Sequence, residues 1–251
     1  MRTLPDALRP RTRAEGYAVQ ACLERRRSAT RFGWKVAATS SAGQAHIGVD
    51  GPIAGRLFAE RVVRSGTMLP FGSNAMRVAE AEFAFRMARP LTPRAKAYTP
   101  EEVLQAVGTL HPAIELPDSR YDDFAAVGGP SLIADVACAH WFVLGEATST
   151  AWRTLDLARA TVVVSKAGTS VEGSGAEVLG DPRLALTWLV NELSSLGIEL
   201  AAGQVVTTGT CITPLPIAPG DRICADFGVF GEVRVVLAGA DREAIADETR
   251  R

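Results

Sequence analysis

Residues 78 to 86 read Val-Ala-Glu-Ala-Glu-Phe-Ala-Phe-Arg, and their period-two alternation commits the segment to a β-strand with two unlike faces. Ala79, Ala81, Phe83 and Phe85 share one side and look core-like. Glu80 and Glu82 project together from the other, their roots only ~6–7 Å apart. Two like charges on one strand face destabilise it unless a cation or basic groups stand between them. That face therefore either meets solvent or meets a positive charge.

The rest of the chain supplies a sheet around this strand. Residues 32 to 40, FGWKVAATS, and 51 to 58, GPIAGRLF, have strand and turn composition. HPAIELPDSRY, 111 to 121, holds a short strand closed by Pro117. SLIADVACAHWFVLG, 131 to 145, is apolar except for Asp135. Strands are expected near 159–165 and 169–171, and the stretch from Gly203 to Gly239 breaks into short strands punctuated by Gly, Pro and Asp. Helices are fewer. Ala14, Tyr17, Ala18 and Ala21 form a stripe predicting an amphipathic helix over 13–27, whose closing Arg25-Arg26-Arg27 reads as a solvated face. Thr99-Pro100-Glu101-Glu102 opens another, and Asp181-Pro182 starts one that ends at Gly197. The mixture is not a regular βαβα series, so the expected class is strand-dominated α+β. At 251 residues the chain suits one compact domain, 31–251, with an N-terminal helical appendage over 1–30.

Composition removes several functions. The 27 basic and 28 acidic residues leave a net charge of −1, with no electrostatic case for nucleic acid or an anionic membrane as partner. No run approaches the ~18 apolar residues that span a bilayer. An N-terminus with Pro5, Asp6 and Pro10 lacks a signal-peptide apolar region, so a cytoplasmic location is expected. Cys22, Cys138, Cys211 and Cys224 form no CxxC pair and read as reduced core thiols. His46, His111 and His140 lack zinc-site spacing. Gly173-Ser174-Gly175 is half of a phosphate loop, with no GKS/T or GxGxxG following.

Two further charges sit in apolar surroundings. Glu115, in Pro112-Ala113-Ile114-Glu115-Leu116-Pro117, is costly there unless paired with a cation such as Arg120 or bound to a metal. With Glu80 and Glu82 it makes a plausible carboxylate set for a hard divalent cation. Lys35, within Phe32-Gly33-Trp34-Lys35-Val36-Ala37, either snorkels from a sheet edge or faces the acids as a proton donor. Thr208-Gly209-Thr210 is either a plain turn or a source of amides and hydroxyls for a small carboxylate.

Taken in order, Gly33-Trp34-Lys35-Val36-Ala37-Ala38-Thr39-Ser40, Gly48-Val49-Asp50-Gly51-Pro52, Glu80-Ala81-Glu82 and Ala113-Ile114-Glu115-Leu116-Pro117-Asp118-Ser119-Arg120 carry a resemblance. Phe142-Val143-Leu144-Gly145, Val178-Leu179-Gly180-Asp181-Pro182, Trp188-Leu189-Val190-Asn191 and Ala202-Gly203-Gln204-Val205-Val206 continue it. The chain resembles the 2-keto-4-pentenoate hydratase branch of the fumarylacetoacetate hydrolase superfamily over roughly residues 15 to 237. The resemblance implies a mixed β-sandwich roll with peripheral helices and a Mg²⁺ or Mn²⁺ ion on Glu80, Glu82 and Glu115. It implies a catalytic Lys35, substrate contacts near Ser40 and Thr210, and homo-oligomers.

Members of that branch hydrate 2-hydroxy-2,4-dienoates from aromatic ring cleavage or decarboxylate 4-oxalocrotonate. The expected activity is a carbon–oxygen lyase producing a 4-hydroxy-2-oxo acid. The alternatives are a decarboxylase of 4-oxalocrotonate-type 2-oxo diacids, or a non-catalytic protein, either a 2-oxo acid binder or a subunit partnering an active decarboxylase or hydratase. Two departures stand out. Ile53-Ala54 follows Pro52 where hydratases of the branch carry an acid, and Asp135-Val136-Ala137-Cys138 replaces their Asp-Asn-Ala-Ser.

Overall fold

The computed structural model describes residues 1–27 and 30–239; the end of the expected domain, 240–251, lies outside them. The first elements in chain order are α1 (Arg13–Arg27), β1 (Arg31–Ala37), α2 (Ser41–Ile47), β2 (Ile53–Phe58), β3 (Val62–Arg64), β4 (Met68–Leu69) and β5 (Val78–Met87). Then come α3 (Pro100–Ala106), β6 (Val107–Leu116), α4 (Gly129–Ala134), β7 (Trp141–Leu144), β8 (Thr161–Lys166), β9 (Thr169–Ser174) and α5 (Pro182–Ser195). The chain closes with β10 (Val205–Thr210), β11 (Leu215–Pro216), β12 (Arg222–Asp226) and β13 (Glu232–Leu237).

The strands make two sheets, as a strand-dominated α+β chain requires. An eight-stranded mixed sheet runs β2-β1-β10-β5-β6-β7-β3, with β11 added beside β5. A five-stranded sheet runs β4-β13-β12-β8-β9. Phe83 of β5 joins them, its ring edge-on to Phe227 at 5.0 Å and Phe230 at 5.5 Å. Each fully buried side chain of this kind stabilises the fold by ~1.5–3 kcal/mol. Gly33 lets β1 and β10 close up, since a Cβ there would lie 1.8 Å from the Val205 carbonyl oxygen. Gly173 has the same role against Cys211, where the gap is 2.1 Å, so the Gly-Ser-Gly segment is a packing feature rather than a phosphate loop.

The helices cover the periphery. Thr99 and Glu102 form the expected reciprocal cap on α3. Asp181 caps α5, whose Ala185, Leu186, Leu189, Val190 and Leu193 pack into the core. Helix α1 is rotated from its expected face: Ala14 and Ala18 are exposed, while Gly16, Tyr17 and Gln20 are buried. Gly16 permits contact with Pro130, and the Gln20 amide donates to the carbonyl oxygens of Ala54 and Ile133. A satisfied polar side chain thus replaces part of the apolar stripe. The cysteines also need correction. Cys138 and Cys211 are buried free thiols, but Cys22 is exposed and Cys224 half-buried. Among the described residues no helix is long and apolar enough to cross a membrane.

Candidate metal centre

β5 and β6 pair antiparallel in a register that sets Glu80 directly opposite Glu115, with Glu82 two residues along β5. One carboxylate oxygen from each of the three lies within 4.8 Å of the others. Glu82 and Glu115 are wholly buried and Glu80 half-buried, so this face does not meet bulk solvent. The Lys35 Nζ approaches Glu115 Oε2 at 2.7 Å. β10 and β5 stand between β1 and β6, a span of ~14 Å in a flat sheet with its side chains perpendicular. Lys35 and Glu115 therefore reach toward each other over two intervening strands. Arg120, the other candidate partner for Glu115, pairs instead with Asp135, which also accepts from the Ser119 hydroxyl at 2.7 Å.

Glu82 is held by β10. Its Oε2 accepts from the Thr207 hydroxyl and from the Gly209 amide, the latter at 2.8 Å. Thr207 pairs with Ala84 and Thr210 with Glu82, so three steps along β10 oppose two on β5. This bulge turns the Gly209 N–H onto the carboxylate. The position demands glycine: its φ is +100°, and a Cβ would sit 2.3 Å from Thr39 Oγ1. The Thr208 hydroxyl points the other way, donating to the Phe83 carbonyl oxygen at 2.9 Å. Thr208-Gly209-Thr210 is therefore a bulged strand end rather than a turn, and its amide serves Glu82.

Three carboxylates and one ammonium leave an excess of negative charge in a buried place. Burial raises the carboxyl groups, Glu80 and Glu82 to about 7 and Glu115 to about 8, against the opposing pull of Lys35. Burial alone would lower Lys35, but attraction from Glu115, Glu80 and Glu82 outweighs it and holds the ammonium above its ordinary range. Glu82 Oε1 and Glu115 Oε1 are buried without a hydrogen-bond partner. Orphaned buried acceptors of this kind are rare unless they have a ligand. An all-oxygen set with unsatisfied acceptors fits a hard divalent cation such as Mg²⁺.

Lys35 and Glu80 line a cavity of ≈ 560 Å³. Ser40 and Thr210 both reach its wall. Ser40 Oγ accepts from the Gly43 amide as the cap of α2, which leaves its own proton free to donate. The Thr210 hydroxyl is committed to the Ile212 carbonyl oxygen at 3.0 Å. Ile53, the first of the two departures from the branch's pattern, is buried in the cavity wall. Cys138 lies there too, its thiol pushed up to about 12 chiefly by burial. Val136, Ala137 and Cys138 turn with positive φ of 51°, 52° and 61°. Sequence reasoning missed Thr207 and Gly209 as the groups that orient Glu82; the Thr-Gly-Thr run was the available signal.

No protein-family model matches the chain. It is 32% identical over 236 residues to the 2-keto-4-pentenoate hydratase of Paraburkholderia xenovorans LB400, covering 92% of this chain and 86% of that protein. It is 34% identical over 220 residues to the 4-oxalocrotonate decarboxylase of Pseudomonas sp. CF600, covering 86% and 82%. The solved 4-oxalocrotonate decarboxylase from Pseudomonas putida G7, complexed with magnesium and adipate, superposes with a TM-score of 0.79 at 30% identity, covering 90% of this chain and 86% of that one. A 5-carboxymethyl-2-hydroxymuconate delta-isomerase from Mycobacterium smegmatis shares the fold alone, with a TM-score of 0.59 and 18% identity. Identity above 30% across nine-tenths of its length, with the same fold, places the chain in the 2-keto-4-pentenoate hydratase branch of the fumarylacetoacetate hydrolase superfamily, a family of enzymes.

Proposed function

We propose that this enzyme is a divalent-metal-dependent hydratase that converts a 2-hydroxy-2,4-dienoate into a 4-hydroxy-2-oxo acid. The observation that carries the reading is the meeting of Glu80, Glu82 and Glu115 with Lys35 at the wall of one cavity. The three carboxylates would hold Mg²⁺ or Mn²⁺. When bound, the cation supplies a Lewis acid for the carboxylate and C2 oxygen of the substrate.

The protein's own groups then manage protons and position. Lys35, beside Glu115 at 2.7 Å and on the cavity wall, is the hydrogen-bond donor and proton-transfer group of the site. Its ammonium stabilises negative charge developing at O2 while the O2 proton leaves and C5 gains one, giving the 2-oxo-3-ene. The oxygen of water next bonds to C4, and the proton that water gives up ends on C3. Ser40 offers its free hydroxyl proton to the substrate carboxylate, while the Thr210 backbone shapes the wall. The apolar lining limits competing water.

A second reading, decarboxylation of a 2-oxo diacid, rests on one observation: Ile53-Ala54 stands where hydratases of the branch commonly carry an acid, so a group that would assist proton transfer in hydration is absent. The two reactions share the chelate and differ in product. Purified protein with Mg²⁺ or Mn²⁺ is to be offered 2-hydroxydienoates and 2-oxo diacids. Loss of dienoate absorbance with a 4-hydroxy-2-oxo product and no CO₂ is the expected result. Release of CO₂ would replace the first reading with the second.

A further inference from the structure

We propose that the cavity selects substrates whose distal end is apolar and uncharged, and discriminates against those ending in a second carboxylate. This rests on the reading of the metal site above and concerns the opposite end of the ligand.

A carboxylate at the far end of a bound acid needs a cation or a set of N–H donors, because leaving it unpaired in a low-dielectric wall is costly. Among the described lining residues, Lys35 is the only lysine or arginine, and its ammonium is paired with Glu115 at the metal end of the ligand. His46 lies on the exposed rim, edge-on to the Phe124 ring at 5.7 Å. Apart from a few serine and threonine hydroxyls, Ser40 and Thr210 among them, the wall is apolar, with Ile47, Ile53, Met76, Phe124 and Leu132. Ile53 and Leu132 are each only 1% exposed, so this surface belongs to the interior. The charges added at the mouth are of the wrong sign for a diacid. Glu172 and Glu177 both line the cavity and are both exposed. A ligand with a negative tail would lie near these acids and then against hydrocarbon, whereas an alkyl or aryl tail gains from the same wall.

A matched pair tests this without turnover: 2-oxohexanoate and 2-oxoadipate have equal chain length and differ only in methyl against carboxylate at the end. Calorimetric titration of the Mg²⁺-loaded protein at low ionic strength should show the diacid binding at least ~10-fold more weakly. Lengthening the monoacid from 2-oxobutanoate to 2-oxohexanoate should tighten binding about three- to fourfold per methylene. The surface double variant Glu172→Gln/Glu177→Gln should narrow the gap at least ~3-fold, and added salt should narrow it likewise in the parent protein. A gap unchanged in that variant would strip the two acids from the inference. Equal or tighter binding of the diacid overturns the inference and leaves the metal site standing. If neither acid binds, the cavity is not a 2-oxo acid site and both readings fall together.

Discussion

Replacing Thr207 with valine keeps the side chain's shape and removes one hydroxyl. Thr207 is fully buried and its hydroxyl donates to Oε2 of the fully buried Glu82, so solvent does not substitute for the lost bond. A hydrogen bond to a charged group contributes ~1.5–3 kcal/mol. At about 1.4 kcal/mol per factor of ten, its loss would weaken cation binding by ~10- to 100-fold. The Gly209 amide still donates to the same oxygen at 2.8 Å, which puts the expectation near tenfold. The neighbouring Thr208→Val is the control, because that hydroxyl serves the Phe83 carbonyl oxygen on the other side of the strand. It should cost about 1 kcal/mol of stability and leave the cation affinity alone. Calorimetric titration with Mg²⁺ reads both variants. Thr207→Val binding Mg²⁺ like the parent, or Thr208→Val losing as much, would refute the reasoning.

Three other perturbations have definite directions. Lys35→Met should cut turnover ~10²–10⁴-fold while Mg²⁺ binding holds or tightens, since a positive charge beside Glu115 is gone; steady-state rates and calorimetry separate the two. Gly209→Ala should lower the melting temperature by about 5–10 °C, from a positive-φ alanine and a clash with Thr39, as differential scanning calorimetry would report. In metal-free protein the buried acids, raised to about 7 and 8, hold protons that the unfolded chain has released above its own ~4.5. The folded state then binds more protons, so stability falls as pH rises from ~5 to 8. Thermal melts at pH 6 and 8.5 should show this fall and a Mg²⁺ stabilisation that grows with pH; a metal-free protein more stable at pH 8.5 would count against it.

How legible this was depends on the range of each interaction. Glu80 and Glu82 share a strand face by period alone, and Glu115 stands out as an acid among aliphatics, so both halves of the set were visible in short windows. Lys35 was ambiguous because its meaning lies in a contact with residue 115 across two intervening strands, one of which, β10, is drawn from beyond residue 200. Helix α2 escaped notice because it buries no residue and so has no hydrophobic period. Its only traces are the Ser40 cap and Gly48 at φ 62°. Helix α1 misled by a different route, since a glutamine satisfied by two backbone carbonyls occupies its inner face. The Thr-Gly-Thr run showed that amides were on offer but not to whom, because only the bulge in β10 aims one at Glu82.

Crystals grown with Mn²⁺ and measured for anomalous scattering interrogate the shared cation directly. A single strong peak within ~2.0–2.3 Å of an oxygen from each of Glu80, Glu82 and Glu115 is the predicted result. A well-ordered structure at millimolar Mn²⁺ with no peak among those oxygens, or with the ion held elsewhere, would contradict it.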